Sequence, residues 1–534
     1  MPTFRVIQVS EIGPCLLTLS LAVCLLAVSF HASDVRAETA QVSPPLPVKD
    51  TNVTPAADKT DKKPANLVGE VPIKKEEGFL LDGNYPDFMS WLKGTQFHGN
   101  LRAYFFAREE ANSAPHNNLT GGGTPYGENS FSLGGYGGFL TAPLYGFQAS
   151  AVLGTANSLG LNPKPPNTDP QYTSNYGNYK SDPSLPGGTI YVLKEGYGKF
   201  TTKYFMVRGP DQVIDTPWIM PSDSRMMPSS WRALYGEAYP FKDFEPLKDV
   251  TFVGMRIWDF MGRSNSNMAP TNLYYTGDMQ GQAGILNVSG APRTSTPNAP
   301  GAQVFGLKYG SKDSDLKAAV WWHEFYNFSK LLWIDANYRW KTGTDFTPLF
   351  GFQFAQQNPD GANYLQNSLV TTCPGGSASN CIAANTQAYG ALMGVDTPWI
   401  QFTAAYNNIL AKQNTFQNGN LVSPYSWGYS TDPLYTTQMI NGLIEKNTAG
   451  QAWKIAGTSW VMEKQIKVLL SYAQYYLAGN NNTGGFYGTA NQGKNASGNG
   501  WAQTSYLNGT SNETDVDVTY FFAKNTMWDG LSVR

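Results

Sequence analysis

Histidine is nearly missing from this chain, with four in 534 residues, and charge is thin, at 15%. The first scarcity leaves little material for metal catalysis or imidazole acid–base work. The second, with a net charge of −2, removes both the basic footprint that nucleic-acid binding needs and any acidic tail. After residue 37 no run of 18 apolar residues occurs, which excludes a transmembrane helix in the rest of the chain. Cysteine is equally sparse. Cys15 and Cys24 fall in an N-terminal apolar run, which leaves Cys373 and Cys381 around "PGGSASN". Two cysteines are too few for a metal site, and in an oxidising compartment they are expected to close a small disulfide loop, two free thiols being the alternative. Enzyme signatures are missing too. His98, His116 and His323 are scattered, and "WWHEFYNF" lacks the second histidine of a zinc-protease helix. The Gly-rich "GGYGGF" (134–139) leads into no helix, and neither a G-x-S-x-G elbow nor a Walker loop is present. The expectation is a protein without catalytic activity, cofactor, metal or nucleic-acid partner.

What the chain does have begins with an export segment over 1–37. Arg5 supplies the positive charge, "CLLTLSLAVCLLAVSF" (15–30) the apolar stretch and "VRA" (35–37) the small residues before a cleavage point. Val23 is too bulky beside Cys24 for a lipoprotein signal. Residues 38–78, rich in Pro, Lys, Asp and Thr and without aromatics, read as a disordered leader. Secreted, periplasmic and outer-membrane destinations remain.

Residues 79–534 carry one pattern, and its period is two. In "LLWIDANYRW" (331–340), Leu332, Ile334, Ala336, Tyr338 and Trp340 share a face opposite Trp333, Asp335, Asn337 and Arg339. "NLRAYFFAR" (100–108), "WIQFTAAYN" (399–407) and "DVDVTYFFA" (515–523) alternate in the same way. Aromatics make up 13% and glycines number 54, as many strands joined by Gly-rich connections require. Alternation alone fits a soluble sandwich as well. The connections separate the two. Short turns near 142–145, 198–202, 241–248, 311–315, 341–345, 395–398, 461–465 and 525–530 alternate with long loops near 109–130, 157–188, 209–230, 261–302, 358–384, 408–449 and 478–513. "YNFSK" (326–330) stands in for one long loop. Short turns at one rim and long loops at the other predict an all-β fold, a transmembrane antiparallel barrel of about 18 strands, with Trp340, Trp399 and Trp528 in interfacial girdles. Sixteen strands can be counted, followed by the stub "LSVR" (531–534). Because single-chain bacterial barrels close on an even number, the rest of strand seventeen and an eighteenth, to pair with the first, are expected beyond this sequence.

A charge facing lipid at mid-depth costs about 2–4 kcal/mol, so basic residues inside strands are expected to face the lumen. Arg102, Arg108, Arg208, Arg256, Lys308 and Arg339 are assigned there, and Lys454 and Lys467 by the same logic, as a cationic track or as cations paired to wall carboxylates. The third long loop contains "TPWIMPSDSRMMPSSW" (216–231), stiffened by Pro221 and Pro228 and carrying Asp215, Asp223 and Arg225, with Asp211 just before it. Folded inward, it would narrow the lumen with charges of both signs.

That loop carries a resemblance. "PSDSRMMPSSWRALY" resembles the S-D-S-R-L-L-P-x-x-F-R-G segment of the OprD family of substrate-specific outer-membrane porins, and "EGYGKFTTKYFMVRGPDQVIDTPWIMP" is similar to the family's approach to it. "DVTFVGMRIWDF" and "LLWIDANYRW" extend the likeness, which covers most of 95–534; Met226, Met227, Trp231 and "RALY" depart from it. The resemblance implies passive diffusion of small carboxylate-bearing solutes past a basic wall, with Arg225 matching the motif's arginine and Asp223 and Ser224 its neighbours. It implies outer-membrane lipid as surroundings and a monomer or homotrimer. A general or phosphate- and anion-selective porin is the alternative within membranes, and a soluble secreted carbohydrate-binding β-protein the alternative outside them.

Overall fold

Alternating side chains make a sheet with two chemically different faces, and in a computed structural model of the chain that sheet is a closed ring. The structure describes residues 29–31 and 87–534, with breaks at 111–125, 163–184, 186–188, 264–265, 269–300, 312, 327–328, 361–383, 413–414, 416–418, 422, 424, 426–432, 440–441, 445–448, 479–508 and 523–530. Cys373, Cys381, His116 and the leader lie outside the described residues.

The elements in chain order are β1 (Ser29–His31), α1 (Phe88–Gly94), β2 (Gln96–Glu110), β3 (Tyr126–Leu140), β4 (Phe147–Asn157), β5 (Ile190–Thr201) and β6 (Phe205–Gln212). There follow β7 (Ser230–Ala238), β8 (Val250–Met261), β9 (Ala302–Tyr309), β10 (Leu316–Phe325), β11 (Ser329–Arg339) and β12 (Thr347–Pro359). The last are β13 (Thr386–Asp396), β14 (Ile400–Ile409), β15 (Gly450–Val461), β16 (Ile466–Leu477), β17 (Gly509–Phe521) and β18 (Leu531–Val533). From β2 to β17 each strand pairs antiparallel with the next, and the sorting of short turns and long loops follows the expected scheme. The ring closes through short pieces. β18 pairs with β17, and β1, which falls in the segment assigned to export, pairs with β18 and with Asn100 and Leu101 of β2.

The two faces are inverted relative to a water-soluble protein. Leu101, Phe105, Leu153, Phe305, Phe402, Leu470, Val516 and Val518 point outward and are exposed, whereas Arg102, Gln353, Asn407, Lys454, Ser471, Asp515 and Thr519 point inward and are buried. A soluble sandwich buries the first set and exposes the second, so the fold is a transmembrane β-barrel and the secreted sandwich is set aside. Trp340 and Trp399 stand exposed at the short-turn ends of their strands, at the level of an interfacial girdle. Among the described residues no helix is long and apolar enough to cross a membrane.

Candidate functional site

The interior is not an open tube. Residues 213–229 leave the end of β6 and fold into the barrel, where Ile214, Trp218, Ile219, Met226 and Met227 are buried. The entry is set by Glu195 of β5, whose carboxylate accepts the Val213 N–H at 3.0 Å. On the near wall Arg102 of β2 holds Asp223 with two bonds, Nη1 to Oδ1 at 2.7 Å and Nη2 to Oδ2 at 2.9 Å, and donates to the Arg225 carbonyl at 2.6 Å. Arg225 answers in the other direction. Its guanidinium donates to the Tyr104 hydroxyl at 3.0 Å and lies 4.8 Å from the Phe106 ring centroid, both on β2. Arg263, just past β8, donates to the hydroxyls of Ser222 and Ser224.

The opposite wall takes the tip of the loop. His323 of β10 meets the Pro217 carbonyl at 2.9 Å, and Trp218 packs edge-on against Trp333 of β11, with ring centroids 5.5 Å apart. β2 and β11 stand half-way round the ring from one another, so one loop reaches across the lumen and is held at both ends. Trp218 (φ 66°) and Ser222 (φ 53°) occupy the left-handed region that side-chain-bearing residues avoid. Such backbone persists only where its surroundings hold it, and here both residues lie in the stretch that leads into Asp223.

A second segment lies inside, and period-two reading gave no hint of it. The described residues of 415–444, in the long connection between β14 and β15, lie along the inner wall from β11 to β17. Tyr435 donates to Asn337, the Thr436 N–H to Asn407, Lys454 to the Thr437 carbonyl, Ser471 to Gln438, and the Met439 N–H to Asp515. Ser423 donates to the Trp218 carbonyl at 2.9 Å, which ties the two inward segments together. Tyr425 fits among Trp231, Phe260 and Phe325. Burial holds the Tyr425 and Tyr435 phenols above the ordinary tyrosine value, so both stay neutral, and Tyr435 keeps its proton to donate to Asn337. Tyr435 lies over Gly351 so closely that a methyl group there would sit 2.5 Å from its hydroxyl. Gly351→Val is therefore expected to push Tyr435 off the β12 wall toward the lumen and to lower single-channel conductance measurably, an outcome planar-bilayer recording checks.

Charge is unevenly placed around the wall. The arc β2–β6 carries Arg102, Lys194, Lys199 and Arg208 inward, with Arg225 and Arg263 added by the loops. Lys199 and Arg208 are cross-strand neighbours, and the Arg208 guanidinium lies between the Tyr197 and Tyr235 rings. The arc β11–β17 carries Asp335, Asp396, Glu513, Asp515 and Asp517, interleaved with Arg339, Lys454 and Lys467. Lys194 was not assigned from the sequence because alternation hides it. A bulge where β4 meets β5 makes Lys194 the unmatched residue, so Lys194 and Glu195 both point inward, each fully buried.

Of the residues assigned from the sequence, Arg102, Asp223, Ser224 and Arg225 come together at the near end of the loop. Asp215 is half-buried near its start. Arg208 is inward, while Lys308 reaches Glu237 at 2.9 Å and Arg339 pairs with Asp396 at the short-turn rim. These cations are knitted into the wall more than they form an open ladder. Arg256 is on the other face. Met255 and Ile257 face in, within the same buried cluster as Trp231, while Arg256 stands with Phe252 and Trp258 on the outside, between Leu234 and Gln303. The lumen assignment assumed mid-depth, but Arg256 is five residues from the long-loop end of β8, where an outward charge costs only about 0–1 kcal/mol. Its Nη1 donates there to the Ile257 and Ala302 carbonyls, and the guanidinium lies beside the Tyr326 ring.

No protein-family profile and no curated protein matches the chain in sequence. Solved structures match it in fold. OccK9 (OpdG) of Pseudomonas aeruginosa superposes with a TM-score of 0.56 at 10% identity, over 83% of this chain and 92% of that one. OpdK of Pseudomonas aeruginosa, solved with vanillate, gives 0.54 at 11% over 83% and 92%. A BenF-like porin from Pseudomonas fluorescens Pf-5 gives 0.55 at 11% over 83% and 92%. The likeness is one of fold, and it falls among porins of the group that the third-loop motif resembles.

Proposed function

We propose that the chain is a bacterial outer-membrane porin through which small carboxylate-bearing solutes diffuse passively, selected at the constriction made by residues 213–229. One observation carries this reading: a loop with both signs of charge crosses the lumen between a basic arc and an acidic one. A carboxylate passing the near wall feels the positive field of Arg225, Arg263, Lys199 and Arg208, while an ammonium group on the same solute feels the negative field of Asp335 and Asp515. In a narrowed, low-dielectric passage such fields act strongly on small ions. The vanillate bound in the OpdK structure is an aromatic carboxylate and supports the same class for this chain.

Liposome swelling tests the reading with matched pairs, benzoate against benzyl alcohol and an amino acid against its amide. Faster entry of each carboxylate than of its neutral partner is the expected result. Equal entry within every pair would leave a general porin, and faster entry of phosphate than of any carboxylate would leave a phosphate channel.

A further inference from the structure

The outer wall has a hollow where a barrel ordinarily presents side chains to lipid. Across β7–β10 a cavity of about 520 Å3 opens outward, within the range of about 300–1,000 Å3 usual for small-molecule sites. Its floor is Gly236 and Gly254, paired in register on β7 and β8, and its walls are Phe252, Phe305, Leu307 and Trp322. Packing does not demand glycine at either position. A methyl group on Gly254 would come no nearer than 4.0 Å to Phe305, and one on Gly236 no nearer than 3.4 Å to the Met206 carbonyl oxygen. Missing side chains, rather than crowding, keep the hollow open.

Arg256 lies on this same face, one residue pair closer to the long-loop rim than Gly254. Leu234 and Gln303 flank it, and its guanidinium is 4.6 Å from the Tyr326 ring centroid. An apolar hollow that opens to the bilayer core, with an arginine at its outer end, has the polarity of a lipid. We propose that it binds a phosphate-bearing lipid of the leaflet on the long-loop side, one acyl chain in the hollow and the phosphate on Arg256. The hollow is continuous with the lipid-facing belt, so the chain enters it without crossing water. A neighbouring barrel is convex and would bridge the hollow rather than fill it. The site does not depend on which solute crosses the lumen.

Native mass spectrometry of the full chain in detergent tests this with lipid A and dephosphorylated lipid A as probes. The wild type is expected to retain one lipid A per barrel. Gly254→Leu, which fills the floor, is expected to lower that retention about tenfold. Arg256→Gln is expected to lower lipid A retention by a similar factor and to leave the dephosphorylated lipid unaffected. Gly236→Val replaces Gly254→Leu if the latter does not show the heat-modifiable migration of a folded barrel. Lipid A retention unchanged by filling the floor, or by Arg256→Gln, overturns the proposal. So does loss of a dimer or trimer mass on filling the floor, which would assign the hollow to a second copy of the chain.

Discussion

Deleting residues 216–228 is expected to raise single-channel conductance several-fold and to flatten discrimination among solutes. The deleted stretch contains the contacts that pin the loop to both sides of the lumen, among them Asp223 and Arg225 on β2, Pro217 on His323 and Trp218 on Trp333. The barrel itself should tolerate the change. Gln212 and Trp231 are already paired across β6 and β7, so a short glycine turn can rejoin the strands at the point where the loop departs. No ladder hydrogen bond of the sheet is lost, and heat-modifiable migration should persist. Removing the crossing takes away both the steric narrowing and the charges of Asp223 and Arg225, so size and polarity selection should weaken together. Planar-bilayer recording measures the first effect, and reversal potentials with matched solute pairs the second. Conductance and selectivity both equal to wild type would mean that the loop does not lie in the conduction path.

Why the wall was legible in the sequence and the filling was not has a physical explanation. A strand in a barrel has lipid on one side and polar contents on the other, so each residue's face is set by parity. Val516 and Val518 are exposed and Asp515 and Asp517 buried for that reason. Parity fails where the ladder gains a residue. At Lys194 the bulge turns two neighbouring charged side chains inward, and the only trace in the sequence is the adjacent pair "KE" before Gly196 in an otherwise alternating strand. Depth is a second blind spot. The rule that sends strand charges to the lumen is an energy that fades toward the interface, and Arg256 sits where it has faded.

Loops obey no such rule. The stiff prolines and mixed charges of 216–228 suggested an inward fold, and the far ends of its contacts, His323 and Trp333, are separated from it by about a hundred residues of chain. The segment over 415–444 went unremarked because its polar, Gly- and Asn-rich flanks read as an external loop. Its signal was present all the same. Leu421, Tyr425, Leu434, Tyr435, Leu443 and Ile444 are all buried, and six large apolar or aromatic residues in a connection supposed to face water ask for a surface to cover.

The near-wall pin gives the sharpest test of how the constriction is held. Arg102 and Asp223 form a bidentate pair with little solvent access, their side chains 11% and 21% exposed. Removing one partner of a buried pair leaves the other charge uncompensated, at a cost of about 3–5 kcal/mol, whereas replacing both with apolar groups is often near neutral. Asp223→Asn should fall at the lower end of that range, because Arg102 keeps the Arg225 carbonyl and the Asn100 side chain as acceptors. Arg102→Met should fall at the upper end, since it strips Asp223 and the Arg225 carbonyl of their donor together. The double variant Arg102→Met/Asp223→Leu should then regain most of the stability lost by either single change, a coupling that a double-mutant cycle on denaturant unfolding reads directly. Conductance should not recover with it. With the pin gone the near end keeps Arg225 on Tyr104 and Phe106 and Arg263 on Ser222 and Ser224, so it loosens without leaving the wall, and the double variant should show added open-channel noise on the microsecond-to-millisecond scale of loop gating. Stability losses that simply add, together with a quiet channel in the double variant, would mean that the pair neither compensates a buried charge nor positions the loop. Regained stability with persistent noise separates the two roles: the charges need each other to be buried at all, and the near end of the loop needs both of them to be held still.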